Sequence, residues 1–423
     1  MERDHKAAQR CLLRPGCWGT GVKILVVHNR YRSSVPSGEN RVVDTERDAL
    51  TARGHEVIRF ERNSDEIEHW PVLKKAALPV RMVWNQEAYR DLRAALAAHT
   101  PDVVHMHNTS PMFSPAVVYA CRAARTPVVI TLHNYRLMCT SGNLFRHGTV
   151  CHDCVTGPAI QAVIHGCYKN SRLATATVVL ANTAHRQAWR TMISAYIFIS
   201  AAQRDEHAPF DLAPERVFVR HNLILAPPPA ERAQASHPTG HGVIYAGRLD
   251  EAKGVRLLMT AWDQYLAAPG HHPALTLTIT GAGTLQPEVT AWAATRPSVT
   301  LTGHTDPATC ATLMAQARAV ILPSAWAEPF GLVAIEAMAL GVPPIAAAHG
   351  AFTELITPRV DGILFPPGDP RALATTLTDI DTNPARYHTY GDQARDTYTK
   401  RFDPDRNIDQ LLEIYNYAIT NPA

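Results

Sequence analysis

The sequence predicts an α/β fold of two doubly wound, Rossmann-like domains facing one another across a cleft. Strand and helix patterns alternate along nearly the whole chain, as in parallel sheets with helices on both faces. Most of the strands are unbroken apolar runs preceded by Gly or Pro, which is how strands buried on both faces read. One stretch, residues 223–240, has four prolines and no apolar period, and it divides the alternation in two. A chain of 423 residues, 46% of them hydrophobic, supplies a sizeable core for each of two or three domains.

Residues 1–20 read as a disordered extension, because Cys11, Leu12 and Leu13 alone are too short an apolar run for a signal peptide. The first domain, residues 21–222, carries strands at Val22 to Val27, Glu56 to Phe60, Asp102 to Met106, Val128 to Leu132, Tyr196 to Ile199 and Val217 to Val219. Helical patterns lie between them, for example Asn40 to Arg53 and Asn85 to His99. Beyond the interdomain linker at 223–240, the second domain (241–400) has strands at Val243 to Ala246, Leu275 to Thr280, Val299 to Leu301, Val320 to Leu322 and Pro344 to Ala346. Residues 401–423 read as a C-terminal helix returning to the first domain.

Composition excludes several classes of function. A net charge of +3 without a Lys or Arg run argues against a nucleic-acid partner. No apolar stretch reaches the roughly 18 residues of a membrane span, so the expected place is the cytoplasm, with peripheral contact at the inner face of the membrane as an added expectation. In Glu66 to Trp84, the residues Trp70, Leu73, Leu78, Val80 and Trp84 interleave with Lys74, Lys75 and Arg81. That pattern is either an amphipathic helix interrupted by Pro79 or a surface that meets a lipid-linked acceptor.

The chemistry is concentrated in WAEPFGLVAIEAMALGVPPI, Trp326 to Ile345, where Glu328 and Glu336 stand eight positions apart across a strand-to-helix turn. The turn Pro329, Phe330 and Gly331 leads into a helix from Leu332 that Gly341 and Pro343 stop. Free amides at the helix start would face a ligand, and the helical rise sets the two carboxylates roughly 12 Å apart, about the span from a hexose to the ribose of its nucleotide. The plainer alternative is one helix with an acid at its N-terminus and another on its solvated face. This segment resembles the donor-binding signature of the family 4 glycosyltransferases.

GVIYAGRLDEAKGV, Gly242 to Val255, sets Arg248 and Lys253 after a strand and Gly247. A diphosphate calls for an Arg fork and a Lys point charge at close range, and in the family these two grip the leaving-group phosphates. Gly281 and Gly283 follow the strand Leu275 to Thr280 in a turn similar to one near the family's nucleotide. KILVVHNRYRSSVPSGEN resembles the family's opening strand and glycine loop, with Ser37 in place of one of two adjacent glycines and Gly38 retained as a phosphate contact. HGAFTELI resembles its GGxxE element, with Ala351 replacing the second glycine.

In the first domain, His133 follows an apolar strand; in the family, a histidine on such a loop hydrogen-bonds the transferred hexose. His105 and His107 stand on another strand, and only one of them is expected to face the cleft.

The resemblance spans Val22 to about Tyr417 and implies the GT-B fold, with the donor mainly on the second domain and the acceptor mainly on the first. It implies hexosyl transfer from a nucleoside diphosphate sugar to a hydroxyl of a sugar, lipid-linked glycan or small natural product, with retention and without a catalytic metal. By the same resemblance Arg248, Lys253, His133 and Glu328 would carry the chemistry, with negative charge building on the diphosphate as the main electrostatic task. The alternatives are a disaccharide phosphorylase or hydrolase on the same fold, or a non-catalytic sugar-nucleotide-binding regulator.

Eight cysteines include Cys139, Cys151, Cys154 and Cys167, spaced C-x11-C-x2-C-x12-C. In a cytosolic chain this set favours a structural zinc over disulfides, with free thiols as the alternative. A similar insertion after the HNYR loop occurs in one group of bacterial family 4 enzymes.

Overall fold

A computed structural model describes residues 21–33, 37–225, 242–269 and 273–423. The first domain is built on a parallel sheet of β1 (Lys23–Arg30), β2 (Glu56–Asn63), β3 (Val103–Met106), β4 (Val128–Leu132), β7 (Ala195–Phe198) and β8 (Val217–Val219), in the order β2-β1-β3-β4-β7-β8. A small hairpin of β5 (Phe145–Arg146) and β6 (Thr149–Val150) lies in the insertion after β4. The second domain repeats the plan with β9 (Gly242–Ala246), β10 (Thr276–Thr280), β11 (Val299–Gly303), β12 (Ala319–Leu322), β13 (Pro344–Ala347) and β14 (Ile363–Phe365), in the order β11-β10-β9-β12-β13-β14. The strand order reverses between β1 and β3 in one sheet and between β9 and β12 in the other. Open α/β sheets bind ligands outside the strand ends at such points.

The apolar runs locate the central strands to within a residue or two. Polar ends escape them: β1 continues to Arg30, paired with Asn63 of β2. Two short elements carry too little pattern to be seen. One is β14, with three residues, and the other is the hairpin, whose His147 and Gly148 adopt the positive φ angles of 51° and 79° that a tight hairpin turn requires.

Three expectations change. The leading segment 1–20 and most of the linker, residues 226–241, lie outside the described residues, but Leu223 and Ile224 are buried core residues rather than linker, and Tyr398 donates to the Ile224 carbonyl at 2.9 Å. Glu66 to Trp84 is no single helix. It breaks into a 3-10 turn Ser64–His69 and helices Val72–Ala76 and Leu78–Val83. Pro79 sits in the first turn of the last, where a missing N–H costs nothing. Glu328 precedes the helix Leu332–Leu340, so only part of the path to Glu336 rises at the helical rate.

The helix Pro404–Thr420 crosses to the first domain, where Ile408, Leu411, Tyr415 and Ala418 join a core with Ile24, Val129, Ala195 and Ile197. Arg53 anchors it through Asp405 and Asp409, each at 2.6 Å. The chain thus returns to its first domain after completing the second.

Candidate active site

The cleft, of about 740 Å³, is lined from the first domain by Gly38, Arg41 and His133 and from the second by Gly247, Arg248, Lys253, Gly281 and Glu328 to Glu336. Its two halves sit at the two switch points. Backbone contact decides what can come close. Gly254 has φ 72°, and a Cβ there would lie 1.7 Å from the Pro323 carbonyl oxygen, so only glycine lets the turn after β9 press against the loop after β12. That approach delivers Lys253 to Glu328, and the two form a partly buried ion pair.

Glu328 is 5% exposed. Its Oε1 also accepts from Ser324 Oγ at 2.9 Å. Burial pushes the carboxyl pKa up, but the Lys253 charge and the hydrogen bonds outweigh it and hold the value below the ordinary range. The backbone is held as firmly. Ala351 N donates to the Glu328 carbonyl at 2.9 Å, and a Cβ on Gly350 would lie 2.6 Å from the Glu328 nitrogen. From the other domain, Tyr135 and Ser200 hydroxyls donate to the carbonyls of Ala327 (3.2 Å) and Pro329 (2.6 Å). Arg248 is 42% exposed to the cleft and pairs with Asp250 at 3.0 Å.

Pro329, Phe330, Gly331 and Leu332 line the cleft, and Gly331 caps the helix with φ 95° and no side-chain partner, leaving its first amides to the cleft. Glu336 on the same helix pairs with Arg41 of the first domain.

The glycines have several roles. Gly281 lines the cleft, and a Cβ on it would lie 1.9 Å from the Gly247 carbonyl oxygen. Gly283 is not among the lining residues; it packs on the Leu249 backbone, 2.6 Å from a built Cβ. Gly38 faces Leu332, which a Cβ would meet at 2.5 Å, so it lets the domains approach. Ser37 is spent on capping the helix Gly38–Ala52 through the amide of Asn40.

His133 Nε2 lies 3.0 Å from His107 Nδ1, with the rings stacked. Burial drives the His133 pKa down to about 3, so the ring is neutral in the cleft wall. Contrary to the expectation that only one of the pair would turn this way, His105 lies on the same side, its ring 4.1 Å from that of His107, because residues two apart on an extended chain share a face; it bonds the Tyr415 hydroxyl (2.7 Å) and Thr131 Oγ1 (2.8 Å) beneath His107.

Two features under the cleft carry no sequence signature. Glu46 and Arg220 form a buried pair at 2.6 Å. Burial raises the Glu46 carboxyl, but Arg220 and His105 pull its pKa down to about 2. Glu46, His105 and His107 are the one group among the described residues whose metal-ligand atoms all lie within 4.8 Å of one another. Since Arg220, Tyr415, Thr131 and His133 already engage these groups, they read as a self-satisfied polar network.

The four insertion cysteines are free thiols, half-buried. Cys151 follows the hairpin, Cys154 lies in the short helix Asp153–Thr156, and Cys167 follows helix Ile160–His165. They are near enough for burial and the neighbouring thiols to raise the Cys154 pKa, but no three sulfurs approach within 4.8 Å.

Family models match both halves of the chain: "Glycosyltransferase Family 4" over residues 36–224 and "Glycosyl transferases group 1" over 229–397. The chain belongs to the family 4 glycosyltransferases. Within the family it is 27% identical over 429 residues to the glycogen synthase of Mycobacterium tuberculosis, covering 93% of this chain and 94% of that one. It is 29% identical to D-inositol 3-phosphate glycosyltransferase 1 of Catenulispora acidiphila, over 75% of this chain and 72% of that one. Among solved structures it is similar to Anabaena HepE in complex with UDP (TM-score 0.63, 20% identity, 93% of this chain and 99% of that one). It is also similar to sucrose-phosphate synthase from Thermosynechococcus elongatus (TM-score 0.67, 20% identity, 93% and 98%). These likenesses agree with the GT-B architecture seen here.

Proposed function

We propose that this glycosyltransferase moves a hexosyl group from a nucleoside diphosphate sugar to an acceptor hydroxyl, with retention and without a catalytic metal, in glycan, glycolipid or natural-product biosynthesis. The observation that carries the reading is the Lys253–Glu328 pair beside Arg248, set where the second sheet reverses its strand order. Arg248 and Lys253 would hold the diphosphate and stabilise the charge it gains as its bond to the anomeric carbon breaks. Glu328 fixes Lys253 and offers its remaining oxygen to the sugar hydroxyls. Glu336 would receive the ribose hydroxyls, and neutral His133 a hydroxyl of the hexose.

The acceptor oxygen attacks the anomeric carbon from the face the diphosphate leaves, and its proton passes to the departing phosphate oxygen. Structures of HepE with UDP and with UDP-glucose support a donor of this type. Names such as D-inositol 3-phosphate glycosyltransferase and phosphatidyl-myo-inositol mannosyltransferase among the relatives support a hydroxylated acceptor.

We also propose a structural zinc on Cys139, Cys151, Cys154 and Cys167. Four thiolates suit a closed tetrahedral site, and the sulfurs would have to draw in by side-chain rotation. A cytoplasmic site of action with contact at the membrane's inner face is proposed on the exposed Val72, Leu73 and Val80 beside Lys74 and Lys75. No helix among the described residues is long and apolar enough to cross a membrane.

The test is calorimetric titration with UDP and GDP, followed by transfer from the labelled sugar of whichever binds. Absence of nucleotide binding would remove the assignment.

A further inference from the structure

Arg136 is held at several points along its backbone. Its backbone N–H donates to Asn134 Oδ1 at 3.0 Å, and its carbonyl accepts from Asn182 Nδ2 at 2.8 Å. Tyr168, beside the last insertion cysteine, sets its ring 5.8 Å from the guanidinium carbon. Gly142 turns past at φ 82°, with a built Cβ 3.7 Å from Nη2.

Nevertheless, the guanidinium makes no ion pair and no side-chain hydrogen bond among the described residues, and its Nε is buried without a partner. Always charged, with five donors in a fixed fork, it is poorly served by such a place unless something completes it.

What it faces is a small cavity in the first domain of about 90 Å³, lined also by Thr109, Ser110, Asn134 and His133. The Thr109 and Ser110 hydroxyls have no side-chain hydrogen bond among the described residues, so they and the fork make a set of donors without an acceptor. Glu39 lines both this cavity and the donor cleft and accepts from Tyr31 Oη at 3.1 Å. Burial pushes its pKa up to about 7, against the pull of the Tyr31 hydrogen bond and of Arg136. The cavity therefore presents a fixed cation and neutral donors, with His133 shared between it and the cleft.

We infer that the acceptor carries a phosphate group, which seats on Arg136, Thr109 and Ser110 and aims a neighbouring hydroxyl past His133 at the donor. A tetrahedral oxyanion suits this set, since the fork takes two oxygens and the hydroxyls a third. The inference deepens the glycosyltransferase reading and rests on it. The phosphate can come from a soluble phosphorylated sugar or polyol, or from a lipid headgroup. Met82 also lines the cavity, and it belongs to the short helix that carries exposed Val80.

The experiment uses the full chain saturated with whichever of UDP and GDP it binds, so that the diphosphate site is filled, and titrates methyl phosphate into wild type, Arg136→Gln and Arg136→Lys. Wild type should bind it, Arg136→Gln about tenfold or more weakly, and Arg136→Lys in between, with nucleotide affinity equal in all three. Equal methyl phosphate binding by wild type and Arg136→Gln, or none by wild type, overturns the inference. Failure to bind either nucleotide would instead overturn the glycosyltransferase reading. Co-sedimentation with phosphatidylcholine vesicles, with and without phosphatidylinositol, then separates the sources. Arg136-dependent pelleting supports a lipid headgroup, and methyl phosphate binding without such pelleting supports a soluble phosphate.

Discussion

Arg41 of the first domain and Glu336 of the second are ion-paired across the mouth of the cleft, 295 positions apart in the chain. The carboxylate that would receive a ribose diol is thus already engaged by a cation from the facing domain. Burial lowers the Arg41 pKa, with the neighbouring Cys310 opposing it. A nucleotide has to share Glu336 with Arg41 or displace it.

Glu336→Gln should therefore weaken UDP binding by about 1–2 kcal/mol, while Arg41→Ala should leave it unchanged or tighten it a few-fold. Calorimetry reads both. UDP affinity insensitive to Glu336 would reduce that residue to a surface acid paired with Arg41.

Arg248→Ala and Lys253→Ala should each lower kcat/KM by about 2–4 kcal/mol, roughly 30-fold to 1000-fold, because the contact strengthens as the leaving group gains charge. Lys253→Ala carries a second effect, since it strips the charge that keeps buried Glu328 ionised. Its melting temperature should fall while that of Arg248→Ala stays close to wild type. Near-wild-type kinetics in both variants would refute the phosphate grip.

Glu39 makes stability depend on pH. Its folded pKa of about 7 lies above the ordinary 4.5, so the folded state holds the proton more tightly. Its contribution is fully present below the ordinary value and is lost as pH rises through the folded one. The melting temperature of wild type should fall over this window relative to Glu39→Gln. Parallel curves for the two proteins would show that Glu39 titrates normally.

Removing one partner of the Glu46–Arg220 pair leaves a charge in the core beneath the cleft. Arg220→Ala should cost about 3–5 kcal/mol and lower the melting temperature well beyond any change produced by Arg248→Ala. A shift of only a degree or two would mean that the network relaxes around the loss.

For the insertion, elemental analysis of freshly purified protein should give about one zinc per chain, and Cys151→Ser should lower both zinc content and melting temperature. Brief chelation should leave the initial transfer rate unchanged, as the proposed metal-independent mechanism requires. Metal-free protein of full stability would dispose of the zinc, and a strict magnesium or manganese requirement would dispose of the metal-independent mechanism.

Local pattern in the sequence determined the two sheets. Runs such as Val128 to Leu132 and Ala319 to Leu322 mark buried strands because apolar burial is written residue by residue. Turns such as Pro329 to Gly331 mark a helix start because Pro and Gly restrict or free the backbone locally. That Arg248, Lys253, Glu328 and Glu336 line one cleft was legible for the same reason, since the first three stand in turns after recognisable strands and Glu336 in the helix that follows. Only the tertiary structure decided which side chains meet. Arg41 with Glu336, Tyr135 with the Ala327 carbonyl, Glu46 with Arg220, and the cavity that Arg136 faces all depend on segments far apart in the chain. Periodicity reports which face of an element is buried. It does not report what lies opposite, and ion pairing and desolvation depend on that.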